Sequence, residues 1–249
     1  MDATREPRRF TDADLRGARF VRADLSGAVM RAVDVDGADI DAPWLCEGSL
    51  LVNGVDVAAY VESELCRRFP GRELRRAADP NGLREAWAAL ERSWAAVLER
   101  GATMPEGTTD VSVDGEWSLA QTLRHLVMAT DTWIGRGVHG QVQPCHPIGV
   151  PHAEYASDGY DTSVFEDRHP AYDEVLAVRA ERQGLVCDLL SEVTAEQLGA
   201  PGTDPWDPTH PVTVRACVHV VLEEEWEHQR YAVRDLDAVA RRAHPPAAG

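Results

Sequence analysis

The sequence predicts a mainly α-helical protein, a four-helix bundle preceded by a short repeat module. Three observations predict it. Between Gly82 and Arg242, four segments place apolar residues at helical spacing. Two of the connections between them are long and rich in Gly and Pro, as in bundles whose helices are joined by crossovers. At the front, every fifth residue is apolar, a period that belongs to neither helix nor strand.

The front module comes first in the chain. Its apolar series runs Phe10, Leu15, Phe20, Leu25, Met30, Val35, Ile40 and Leu45. Small residues stand two positions before most of these, at Ala13, Ala18, Ala23, Ala28 and Ala38. Such a chain turns a corner every five residues and has a large and a small side chain to bury at each. The copies "ADLRG", "ADLSG" and "ADIDA" resemble pentapeptide-repeat proteins. That resemblance implies a right-handed β-helix, with Leu15, Phe20, Leu25 and Ile40 pointing inward. Eight pentads make about two coils, little for a solenoid whose repeats need stacked neighbours. The module, residues 1–48, therefore reads as a cap or dimerisation element, with a specific binding surface as the alternative.

Residues 49–80 read as a connector, with a hairpin-like turn at Asn53-Gly54 followed by a short helix. The bundle follows over residues 81–243. Helix one, 82–100, carries Leu83, Trp87, Leu90, Trp94 and Leu98 on one face. Ser118 and Gln121 form a capping box that opens helix two, 118–138. A loop rich in Pro, His and Gly spans about 140–170, and helix three spans 171–191. Another loop, "LGAPGTDPWDPTHPVTV", leads to Thr213, which caps the last helix, 213–242.

Bulk composition narrows the function classes. The formal net charge of the 249 residues is −17, and every basic residue is Arg. That balance argues against nucleic acid, which needs a basic patch, and against an anionic membrane surface. No apolar run reaches a membrane span, and "MDATREPRRF" lacks the apolar stretch of a signal peptide. The five cysteines include no CxxC pair, so neither a disulfide framework nor a zinc ribbon is expected. A reducing cytoplasm is the expected location.

The chemistry concentrates in "VVLEEEWEHQRYAV" of the last helix. At roughly 100° per residue, Glu224 lies about 40° from His228 and Glu225 about 60° away on the other side. Cys217 and Val221 share that stripe. A carboxylate and an imidazole on a face that should be apolar are costly unless paired or bound to metal. An ExxxH pair can chelate one ion, and it can equally be a simple Glu–His pair. His125 lies between Leu123 and Leu126 in helix two, where it is either a core histidine or a third donor brought across the bundle. Glu225 is the fallback carboxylate. His219, about 180° around from His228, cannot share an ion with it. Cys145, His146, His152 and His169 sit in the 140–170 segment, which reads as a solvated loop or, alternatively, as a lid.

From Gly82 to Arg242 the chain resembles the DinB superfamily, carried by "TLRHLVMATDTW" and "VRACVHVVLEEEWEHQRYAVRDL". The resemblance implies a three-ligand divalent metal site at His125, Glu224 and His228, with zinc as the expected ion. The ExxxH spacing is like that of the mycothiol-dependent maleylpyruvate isomerases. The resemblance further implies a metal-dependent thiol S-transferase or thiol-dependent isomerase that uses a low-molecular-weight thiol and an electrophile. The alternatives are a non-catalytic, metal-stabilised binding or stress-response module, and a metal-dependent hydrolase. A homodimer is also among the expectations.

Overall fold

In the computed structural model, residues 8–243 are described, and they divide after Ala42 into two compact units. The first unit turns every five residues. Positive φ angles recur at Asp12, Gly17, Arg22, Gly27, Ala32 and Gly37. Alternate corners are closed turns, in which Ala18, Ala28 and Ala38 donate their N–H to Leu15, Leu25 and Val35 at 2.9–3.0 Å. The Asp of the repeat explains itself here. Asp14, Asp24 and Asp34 each accept the backbone N–H two residues on, which pins the chain as it enters the turn.

The apolar row of this unit is exposed. Leu15, Phe20, Leu25 and Ile40 are 47%, 59%, 53% and 62% exposed, and residues 8–42 contain no strand. The reason is length. A rung buries its side chains against the rungs above and below, and a repeat this short supplies too few of them.

The second unit opens with a 3-10 turn at Leu45–Glu47 and the expected hairpin, β1 (Leu51–Val52) against β2 (Val55–Asp56). Asn53 and Gly54 both hold positive φ at its tip, the signature of the tight turns that match strand twist. Helix α1 (Ala58–Arg68) follows, then a second 3-10 turn at Arg72–Arg76. Asp79 caps α2 (Pro80–Thr103), accepting from Asn81 and Gly82, with Pro80 in the first helical position where its missing N–H costs nothing.

The capping box of Ser118 and Gln121 opens α3 (Leu119–Thr130). The expected length of this helix is met differently, because Asp131–Arg136 winds on as a π-helix. Helices α4 (Tyr172–Glu192) and α6 (Val214–Ala243) complete the bundle, the latter capped by Thr213 Oγ1 accepting from Ala216. The last connection holds more structure than a loop. It contains α5 (Ala195–Leu198), with its own Thr194/Gln197 capping box, and an antiparallel hairpin of β3 (Pro201–Thr203) with β4 (Pro211–Thr213).

Helix α2 packs on α4 and α6, and α3 packs on the same two, so α3 faces α6 directly. The core joins Leu83, Leu90 and Trp94 of α2 to Leu123 and Leu126 of α3, Val175 and Leu190 of α4, and Leu222 and Trp226 of α6. Among the described residues, no helix is long and apolar enough to cross a membrane.

Candidate metal centre

The four glutamates of "EEEWEH" take up different partners. Glu223 accepts from Arg76 at 2.8 Å. Glu227 accepts from the buried Arg72 at 2.8 Å and from Arg230 at 2.9 Å. Arg72 and Arg75 also hold Glu62 of α1, so these pairs bind the connector to the bundle. Glu225 is fully buried and pairs with Arg179 of α4, itself 2% exposed. Burial pushes the Glu225 carboxyl up, against the opposing pull of Arg179. Glu224 alone turns to the histidines.

His125, Glu224 and His228 converge, with one donor atom from each lying within 4.8 Å of the other two. Among the described residues this is the one group of three or more such side chains. His125 Nε2 is 3.5 Å from Glu224 Oε2, and His228 Nδ1 is 3.4 Å from the same oxygen. The His125 contact is close to the spacing of donors that share an ion at about 2.0–2.2 Å.

Both imidazoles are held through Nδ1. His125 Nδ1 lies 2.9 Å from the Val150 carbonyl, and His228 Nδ1 lies 2.8 Å from the Glu224 carbonyl. A carbonyl only accepts, so each Nδ1 carries a proton and donates it, and Nε2 is the ring nitrogen left to face other partners. A metal ligand is held in the same way, with Nδ1 anchored and Nε2 turned to the ion. Burial, with His125 close by, pushes the His228 imidazole down to about 4, so it is neutral near pH 7. Burial pushes the Glu224 carboxyl up, but the hydrogen bond from His125 and the neighbouring imidazoles outweigh this and hold it below the usual range. A carboxylate oxygen and two imidazole nitrogens form a donor set that fits a borderline divalent cation.

The site is open on one side. The Glu224 side chain is 33% exposed, against 8% for His125 and 13% for His228. Trp117, just before α3, covers part of it, with its ring 4.6 Å from His125 and 6.0 Å from His228. The same indole walls a small cavity lined by Thr122, Ala232 and Asp235. Tyr231 packs edge-on against His228 at 5.7 Å.

Most of the 140–170 segment is an exposed loop, as expected, but part of it is anchored on the bundle. Arg124 donates to the Ile148 carbonyl at 2.7 Å, and Ile148 is 1% exposed. Gly149 lets the strand of chain lie on α3, since a Cβ there would come within 3.1 Å of Met128 Cβ and 3.0 Å of Phe165. That approach delivers the Val150 carbonyl to His125. Further along, Tyr155 is the buried centre of an aromatic cluster with His152, Tyr160, Phe165 and Trp206. His152 is near enough to the centre to interact electrostatically with His125 and Glu224, and burial pushes its imidazole down.

The remaining sequence candidates have other roles. His219 bonds the Ala77 carbonyl at 2.8 Å, which agrees with its place on the far side of α6. His146 Nδ1 accepts from Ile148 N, and His169 is exposed. Burial raises the Cys145 thiol, and it pushes the Cys217 thiol up to about 11. Neither cysteine is a ready nucleophile. Trp117 and the Val150 carbonyl were not foreseen. A backbone acceptor has no sequence signature, although Trp117 stands directly before the capping serine, where it can overhang the first turns of α3.

Comparison with known families finds two matches. A model described as the DinB superfamily covers residues 89–232, and one described as pentapeptide repeats covers residues 9–41 in eight copies. No curated protein and no solved structure matched the chain.

Proposed function

The chain belongs to the DinB superfamily, with all three converging donors inside the matched residues, and from that premise we propose a divalent-metal-dependent enzyme acting on a low-molecular-weight thiol. The observation that carries this reading is the incomplete donor set. Three side chains bring donor atoms together, and the Glu224 side chain among them is 33% exposed. A structural zinc site is closed by four protein ligands, whereas a catalytic one keeps a position open.

Zinc is the ion best matched to two imidazoles and a carboxylate. When bound, such an ion is a Lewis acid that lowers the pKa of a thiol or water placed against it. The protein's own contribution is preorganisation. The Val150 and Glu224 carbonyls hold the two imidazoles through Nδ1, and Trp117 shields one side of them. The reaction classes that follow are S-transfer of a mycothiol-type thiol to an electrophile, or a thiol-dependent isomerisation. A reducing cytoplasm suits this reading, since a thiol cosubstrate and the five free cysteines would stay reduced there.

The test is elemental analysis of the purified protein, followed by thiol-consumption assays over a panel of thiols and electrophiles. We expect one divalent ion per site and metal-dependent thiol loss that His228→Ala abolishes. A metal-loaded protein that cleaves esters or amides and leaves thiols unconsumed would assign it to hydrolysis. A protein that takes up no divalent ion would sink the metal reading altogether.

A further inference from the structure

We propose that a groove between the second 3-10 turn and α2 binds a small zwitterion with an apolar body, of the free amino acid class. The groove encloses about 490 Å³, a volume typical of small-molecule sites. Pro70, Leu74 and Ala89 make its apolar lining, and Glu73, Arg92 and Ser93 its polar one. None of these residues belongs to the metal centre. Local structure forms the groove. Gly71 holds a φ of +100°, and a Cβ there would lie 2.5 Å from Ala89 Cβ, so the turn is pressed onto α2 at that point. Ala89, Arg92 and Ser93 follow at helical spacing and share the face of α2 beside it.

Arg92 differs from its counterparts. Every other arginine from Arg67 to Arg234 bonds a carboxylate or a backbone carbonyl. Arg92 alone in that span bonds neither among the described residues. Its neighbour Ser93 is incomplete in the same sense. Ser93 Oγ accepts from Gln229 Nε2 at 2.7 Å, so its hydroxyl hydrogen turns away from Gln229 and meets no acceptor among the described residues. Behind it, Gln229 is 3% exposed and its Oε1 has no donor, although buried polar groups are ordinarily partnered. A guanidinium and a hydroxyl on adjacent residues, both with donors left over, suit a carboxylate.

Charge selects a zwitterion over a plain anion. Glu73 lines the same groove, with one carboxylate oxygen held by the Gly71 N–H at 3.0 Å, and it does not pair with Arg92. An occupant of the groove therefore meets a negative group as well as a positive one. The surroundings add to this. Residues 1–42 hold seven arginines and nine carboxylates, so 15 of the 17 net negative charges fall on residues 43–249. That surface repels an anion and is neutral towards a ligand whose own charges cancel. An ammonium answers Glu73, a carboxylate answers Arg92 and Ser93, and the apolar body lies on Pro70, Leu74 and Ala89.

Titration calorimetry on the full-length protein as purified tests the proposal. The probes are leucine and 6-aminohexanoate, and the controls are hexanoate and hexylamine, each of which lacks one of the two charges. We expect at least one zwitterion to bind and both controls to bind at least about tenfold more weakly. Arg92→Gln should remove zwitterion binding. Glu73→Gln should erase the preference for 6-aminohexanoate over hexanoate, an effect that a purely structural role for Glu73 would not produce. Unchanged helical circular dichroism and metal content in both variants place the loss at the groove. Failure of both zwitterions to bind at millimolar concentration would overturn the proposal. So would hexanoate binding to the wild type as tightly as 6-aminohexanoate, or zwitterion binding that Arg92→Gln leaves intact.

Discussion

Glu224 and Glu225 are neighbours in sequence and opposites in environment, and the difference is measurable. Removing Glu225 leaves the Arg179 guanidinium buried without its counter-charge, so Glu225→Ala should cost about 3–5 kcal/mol in denaturant unfolding. Metal content of the folded fraction should stay unchanged. Glu224→Ala should do the reverse, emptying the centre while altering stability by less than about 1 kcal/mol. If the two variants swap behaviours, the carboxylate assignment is wrong. His228 gives a pH signature in the metal-free protein. Its imidazole titrates near 6.5 when unfolded and is pushed down to about 4 in the fold. Below 6.5 the unfolded chain takes up a proton that the folded chain refuses, so acidification favours unfolding. Stability should be level in this respect above pH 6.5 and fall between about 6.5 and 4, by on the order of 3 kcal/mol. Urea melts of wild type and His228→Ala across that window should diverge by this amount, and parallel curves would refute it. Much of the site was legible at this scale. Angles on an ideal helix put Glu224 nearer to His228 than Glu225, and they put His219 opposite. What the angles cannot supply is Arg179, 46 positions before Glu225 and on another helix, which is what claims the second carboxylate.

Helix α6 is over-determined. Rotation about its axis is one degree of freedom, yet Glu223 and Glu227 lock onto the second 3-10 turn, Glu224 onto α3 and Glu225 onto α4. Losing any one partner leaves three to hold the register, so ligand geometry should survive single changes at Arg72 or Arg76. The 140–170 segment has no such redundancy. Gly149→Val would press into Met128 and Phe165, lift the chain from α3 and withdraw the Val150 carbonyl from His125. Metal affinity should drop roughly tenfold or more while the bundle melts nearly as before. Chelator competition measures this, and an unchanged affinity would mean that Val150 does not hold His125. The four long helices were readable from period and caps to within two or three residues at each end, apart from the close of helix two. The π-helix after α3 was not, because its apolar pattern continues α-like into Trp133 and Ile134. Nor was the β3–β4 hairpin, whose strands are three residues each and begin with proline.

At the scale of the molecule, the bundle carries its own core, from Leu83 to Leu236, without help from the ion or the repeat. Chelation should therefore leave the helical circular dichroism intact at room temperature, and its collapse would count for a structural metal. The five-residue period was plain in the sequence. The fate of its side chains was not, since burial depends on how many rungs stack, and pattern alone does not count rungs against what they need. The lopsided charge has one more consequence. A unit holding 15 of the 17 net negative charges surrounds itself with an atmosphere of counter-ions. A divalent ion responds to a given potential with the square of the enrichment that a monovalent ion shows. The acidic surface is thus a standing local store of divalent cations beside the Glu224 edge. It equally repels anionic electrophiles, so neutral or cationic substrates should reach the centre fastest, and added salt should slow metal loading while speeding the approach of anions.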